Sequence, residues 1–141
     1  MTESMKPDLA RDARLALECV CSGSGREPAE RFYSSEFVDH VNDFELRGLE
    51  GVRRSVELYT SVLSNLEVTV QEQVVDGDRV TSRFIVSGTN RGRRVRFNGI
   101  TISRFLDGKM WASPGSVDTR LGRLGVLLLD QGGWFVAQRR V

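Results

Sequence analysis

Apolar and polar residues alternate through the second half of the chain and lay out four extended segments in succession. Between Leu66 and Asp76, Leu66, Val68, Val70 and Val74 fall on one side and Glu67, Thr69, Gln71 and Gln73 on the other, the two-residue period of a half-buried strand. Asp76-Gly77-Asp78 follows as a tight turn, in which glycine supplies the positive φ that a hairpin needs. A second strand is predicted over Arg79 to Asn90, with Val80, Phe84, Val86 and Gly88 on one face. A third, rich in β-branched and aromatic residues, spans Arg93 to Leu106 and is closed by Asp107-Gly108. Lys109 to Val117 is a less regular fourth segment that delivers Asp118 to the end of the sheet. Glu72 interrupts the apolar side of the first of these strands. It reads either as an inward carboxylate or as the mark of a bulge or a sheet edge.

The first half of the chain has the longer period of helices. Leu9, Ala13, Ala16, Leu17 and Val20 share one face between Asp8 and Val20, and Asp8 is placed to cap that helix. A second, short helix is predicted from Glu27 to Ser34, followed by an extended or buried segment, Phe37 to Val41, and a polar loop from Asn42 to Gly48. The clearest helix runs from Glu50 to Ser64, where Val52, Val56, Tyr59 and Leu63 form a stripe opposite Arg53, Arg54 and Glu57. After Asp118, the residues Thr119 to Leu129 are expected to form a short helix, and Trp134 to Val141 a last strand or an ordered tail.

At 141 residues, positions 1–141 are expected to be a single domain large enough to hold a core and a pocket. The 20 basic and 19 acidic residues nearly cancel, so no net field argues for nucleic acid or an anionic membrane. No apolar run approaches the roughly 18 residues of a spanning helix, and Met1 to Asp12 is too polar for a secretory signal. A cytoplasmic location is the expectation. Cys19 and Cys21 lie two positions apart, which on a helix sends their thiols in divergent directions, so they read as reduced thiols. With one histidine in the chain, a Cys/His zinc site lacks ligands.

Helices followed by a twisted antiparallel meander make an α+β plan. Curving that antiparallel sheet around the N-terminal helices gives a cone, closed by core at its narrow end and able to take a ligand at the other. Several segments also resemble a known family. Phe37-Val38-Asp39-His40, Gly48-Leu49-Glu50-Gly51-Val52-Arg53, Val74 to Val80, Gly88-Thr89-Asn90-Arg91-Gly92, Gly99-Ile100-Thr101-Ile102, Arg104 to Lys109 and Asp118 to Gly122 are similar to the SnoaL-like polyketide cyclases of the nuclear transport factor 2-like (NTF2-like) superfamily. The resemblance is strongest over residues 30–125.

What the resemblance implies is a conical homodimer with an apolar pocket for a small oxygenated polycyclic or polyketide-type substrate, working without metal or cofactor. It also implies that Asp118 acts as general acid/base. A carboxylate among apolar walls has its ionised form disfavoured, so its pKa rises toward the working pH and it can take and return a proton. Removing a proton α to a carbonyl makes an enolate, which needs a hydrogen-bond donor. Family members usually carry a Glu and a Trp in the run leading to this aspartate, where Ala112 and Pro114 stand here.

Each candidate has a structural alternative. Asp118 precedes Thr119-Arg120-Leu121 and could equally be an N-cap. His40, the one imidazole, is the second catalytic candidate or a structural residue between Val38 and Val41. Asn90 puts an amide on the wall shared by Phe84 and Val86, to be satisfied by a substrate oxygen or by a loop carbonyl. Tyr33 could orient a carbonyl, and Asn98 joins Asn90, Tyr33, Phe84, Val86 and Trp111 as a candidate substrate contact. Trp111 could be a flat pocket wall or an interface aromatic. Two classes of function remain open. One is a cyclase- or isomerase-type enzyme of secondary metabolism, with epoxide opening or support of hydroxylation as variants. The other is a non-catalytic binding or dimerisation module with the same cone.

Overall fold

The computed structural model describes residues 7–41 and 44–116. Helix α1 (Leu9–Leu15) begins where expected, with the Asp8 carboxylate accepting a hydrogen bond from the Arg11 amide at 3.0 Å. It runs on into a wider π-helical turn over Ala16–Cys21. The predicted second helix is reduced to a single 3-10 turn, Ala29–Arg31, because the chain from Tyr33 onward is drawn into the sheet. Strand β1 (Tyr33–Val41) therefore absorbs both the end of that helix and the extended segment after it. The expected polar loop contains a short strand, β2 (Phe44–Arg47). Helix α2 (Gly48–Val62) follows, two residues earlier than its apolar stripe suggested.

The four predicted strands are all present as β3 (Ser64–Asp76), β4 (Arg79–Asn90), β5 (Arg93–Leu106) and β6 (Lys109–Ser116). The turns at Arg91-Gly92 and Asp107-Gly108 have positive φ at both positions, the geometry whose twist matches the strands it joins. The strand order is β2-β1-β6-β5-β4-β3. The sheet is mixed rather than wholly antiparallel, since β1 lies parallel to β6 with Val38 opposite Ala112 and Val41 opposite Gly115. Local alternation carries no information on that pairing, which joins segments some seventy positions apart.

The helices cover one face of the sheet. Ala13, Ala16 and Val20 pack with Phe32, Tyr33, Phe37, Val52, Val80, Phe105 and Met110 at one end. Leu17 and Leu63 pack with Val68, Val70, Val86, Val95 and Phe97 at the other. The helical stretch 9–21 thus stitches both clusters to one inner face, and the burial of Leu17 and Val20 favours folding by about 1.5–3 kcal/mol each.

One departure in β3 changes which residues see that face. The register steps from Val70 opposite Phe84 to Glu72 opposite Arg83, so a bulge at Gln71 reverses the alternation. Beyond it Gln73 turns inward, whereas Val74, expected inward, is 61% exposed. Glu72 lies on the outer face, 3.4 Å from Arg83, and is not an inner carboxylate. The Glu18 carboxylate meets the strand beside the bulge, accepting from the Val70 amide at 3.0 Å. Among the described residues no helix is long and apolar enough to cross a membrane. Asp118, the helix expected over 119–129 and the segment 134–141 lie outside the described residues.

Candidate active site

Strands β3, β4 and β5 supply the inner face, β3 through Val68 and Val70. On β4 it is built by Val80, Ser82, Phe84, Val86 and Gly88, and on β5 by Val95, Phe97, Gly99, Thr101, Ser103 and Phe105. Phe84 sits opposite Gly99, and a side chain built at Gly99 would come within 2.4 Å of its ring. The missing side chain on β5 therefore gives the half-buried Phe84 ring its place against the sheet. On one side of this pair lies the apolar row Val86 and Phe97. On the other lie hydroxyls: Ser82 opposite Thr101, then Ser103 opposite Val80, all buried.

The walls above this floor come from the helices and β1. Tyr33 is 5% exposed, and its ring meets Phe37 edge-on at 4.8 Å. Its hydroxyl lies 3.3 Å from the Cys21 thiol, at the end of the π-helical turn. A widened turn changes the direction in which the last side chains of the stretch leave the axis. This stretch delivers Leu17 to one cluster and Cys21 to the Tyr33 hydroxyl. Gln73 closes the lower edge, its amide donating to the Ala10 carbonyl at 2.9 Å and to Ser82 Oγ at 3.2 Å.

Tyr33, Phe84 and Val86 are therefore brought to one face. Asn90 stands on the same face, but its amide donates to the Val62 carbonyl at the end of α2, at 3.2 Å. Of the two partners open to it, the backbone carbonyl is the one present. Asn98 alternates with Phe97 and Gly99 and is exposed on the opposite side of β5. It is not part of the inner wall. Trp111 falls at the irregularity between the pairs Phe105–Met110 and Arg104–Ala112, and is 38% exposed. His40 is placed by its backbone, opposite Glu45 on β2 and Pro114 on β6. Sequence reasoning passed over Thr101, Ser82 and Ser103. The available signal was the small and hydroxylated residues at every second position of an otherwise apolar strand face.

An inner face of this kind is apolar with a few hydroxyls, so it suits a largely apolar molecule that carries oxygens. Among the described residues no cluster of three or more His, Cys, Asp or Glu side chains is placed to hold a metal ion.

A mixed sheet closed over on one face by N-terminal helices is the architecture of the NTF2-like cone folds. Within that class the chain belongs to the SnoaL-like polyketide cyclase family, whose sequence model matches residues 11–118. Among solved structures, a SnoaL-like protein from Jannaschia sp. CCS1 is similar with a TM-score of 0.69 at 17% identity, over 90% of this chain and 94% of that one. TsrD from Streptomyces laurentii is similar with a TM-score of 0.63 at 24% identity, over 78% and 85% of the two chains. AclR from Streptomyces galilaeus, a candidate hydroxylase, has a TM-score of 0.65 at 22% identity, over 87% and 98%. No curated protein matches the sequence significantly.

Proposed function

We propose that this chain is a cyclase- or isomerase-type enzyme of secondary metabolism, working as a homodimer, that takes an apolar, oxygenated polyketide-type molecule onto the inner face of its cone. In this reading Asp118 moves the proton. The observation that carries it is that the family match extends through residue 118 while the described wall offers hydroxyls on an apolar floor. A carboxylate acting beside that floor has a task the floor leaves open, because Glu18 is spent on the Val70 amide and Glu72 faces outward. Tyr33 is the side chain suited to hydrogen-bond a substrate carbonyl as it gains negative charge. Either Cys21 Sγ or Tyr33 Oη can donate, so the thiol can give its S–H to the phenol oxygen while the phenol O–H turns to a ligand.

The test is turnover of oxygenated polycyclic and polyketide-type compounds by the wild-type chain and by Asp118→Asn. The expected outcome is a loss of about 10²–10⁴-fold in kcat with an unchanged melting temperature, the range for removing a general acid/base. Unchanged turnover contradicts the role. A binding module is the second reading, favoured by Asn90, whose amide is taken up by a backbone carbonyl rather than kept for a ligand. It is the correct one if compounds bind the wild-type chain tightly and none is converted.

A further inference from the structure

Between residues 79 and 106 the chain carries seven arginines and no acidic residue, although the whole protein has a net charge of only +1. This stretch is the β4–β5 hairpin, and four of the seven, Arg91, Arg93, Arg94 and Arg96, crowd into the six residues from 91 to 96 at its tip. All four are exposed. The ion pairs among the described residues use Arg31, Arg47, Arg53 and Arg83, and none of these four. Glu67 shares an outer-face row with Arg96 but stands two strands away, about 10 Å. Like charges held this close repel one another, so the tip is stabilised by any surface that brings carboxylates to it.

The tip is also held in place. Asn90 donates to the Val62 carbonyl at 3.2 Å and the Ser64 hydroxyl to the Thr89 carbonyl at 3.2 Å, which ties the end of β4 to the end of α2 and the start of β3. Arg94 and Arg96 point to the outer side of β5, because Val95 and Phe97 are buried on the inner side. Arg93 stands opposite Asn90, and Arg91 occupies the turn itself with φ 48°. The four side chains therefore leave the hairpin end in different directions instead of converging on one point.

We infer that this tip is a docking surface for an acidic protein. Guanidinium forks match carboxylates, and a fixed backbone lowers the entropy lost when they engage. Diverging arginines engage a broad surface with several acids, whereas one small anion reaches only part of the set. Single-stranded nucleic acid needs aromatic faces for its bases, and the one aromatic beside the arginines, Phe97, is 1% exposed. A membrane surface needs apolar side chains to insert, and the residues between the arginines are Gly92 and the buried Val95. A second copy meeting this tip about a two-fold axis would set arginine against arginine.

Fluorescence anisotropy of the full chain at low salt, with a labelled peptide of about twenty residues, long enough to hold a helix with glutamates along one face, tests the surface. The wild-type chain is expected to bind it. Arg94→Glu and Arg96→Glu should each raise the Kd about fivefold or more, and the two together about twentyfold or more. Arg54→Glu, the same change of charge at an exposed position on α2, should leave the Kd within about twofold. A thermal melt checks that each variant is folded. Equal weakening by Arg54→Glu would report net charge alone and overturn the inference, as would a wild-type chain that leaves the peptide unbound. Tighter binding of a single-stranded oligonucleotide or of phosphatidylglycerol vesicles also overturns it, and would assign the tip to that polyanion. None of these measurements involves turnover, so their failure leaves the role of Asp118 standing.

Discussion

The Phe84 ring and Gly99 occupy one position between them, one by filling it and the other by leaving it empty. Adding a methyl group at Gly99 forces the ring aside at a cost of about 1–3 kcal/mol, the usual range for overfilling a packed site. In a Phe84→Leu background the same Gly99→Ala change should cost less than about 1 kcal/mol, since the shared contact is gone. Denaturant melts of the four proteins measure this coupling directly. Asn90 has a different kind of partner. Asn90→Ala should lower stability by about 0.5–1.5 kcal/mol through loss of its bond to the Val62 carbonyl, and leave ligand affinity unchanged. Glu30 gives a pH dependence. Its carboxyl is held below its ordinary value of 4.5, first by a hydrogen bond from its own backbone, against a smaller opposing effect of desolvation, and then by Arg53 at 3.1 Å. A lowered folded-state pKa stabilises the folded chain above 4.5 and ceases to do so as pH falls through the folded value. The difference in melting temperature between wild type and Glu30→Gln should therefore be present at neutral pH and shrink as the pH is lowered below 4.5.

Strand β3 shows where alternation is a sound guide and where it fails. Leu66, Val68 and Val70 face inward as their spacing requires, and the strands after them start and stop at their turns because Gly77, Gly92 and Gly108 allow the chain to reverse there. Past Val70 the same rule gives the wrong face, because one extra residue in the bulge shifts every later side chain. Glu72 carried that signal as a charged residue in an apolar series. The segment 27–34, expected as a short helix, keeps only the 3-10 turn Ala29–Arg31 because its end, from Tyr33 onward, is drawn into β1, where Tyr33 pairs with Met110 of β6. Such partners lie far away in sequence, where no local pattern reaches. Part of the site was legible for the same reason as the strands. Phe84 and Val86 follow from periodicity, whereas Tyr33, expected on a short helix, arrives on β1, and the inner hydroxyls read as ordinary strand polarity until the register placed them opposite one another. Gln73, turned inward by the bulge, holds α1 to the sheet through Ala10 and Ser82. Gln73→Leu strands the buried Ser82 hydroxyl and should cost about 1–3 kcal/mol in a chemical melt.

The sheet has two faces of opposite character. One is covered by helices and lined with Phe84, Thr101 and Tyr33, and on the other the Glu72–Arg83 ion pair stands beside Ile100 and Ile102. Because neighbouring residues on β5 point to opposite sides, Thr101 faces the helices on the inner wall and Ile100 and Ile102 face outward, and under the proposed function only the inner side meets a ligand. The most direct check is methyl NMR of the full chain during titration with an oxygenated polycyclic compound. Resonances of Thr101 and Val86 should shift progressively with ligand while those of Ile100 and Ile102 stay in place. Shifts confined to the two isoleucines would put the ligand on the outer face and contradict the account.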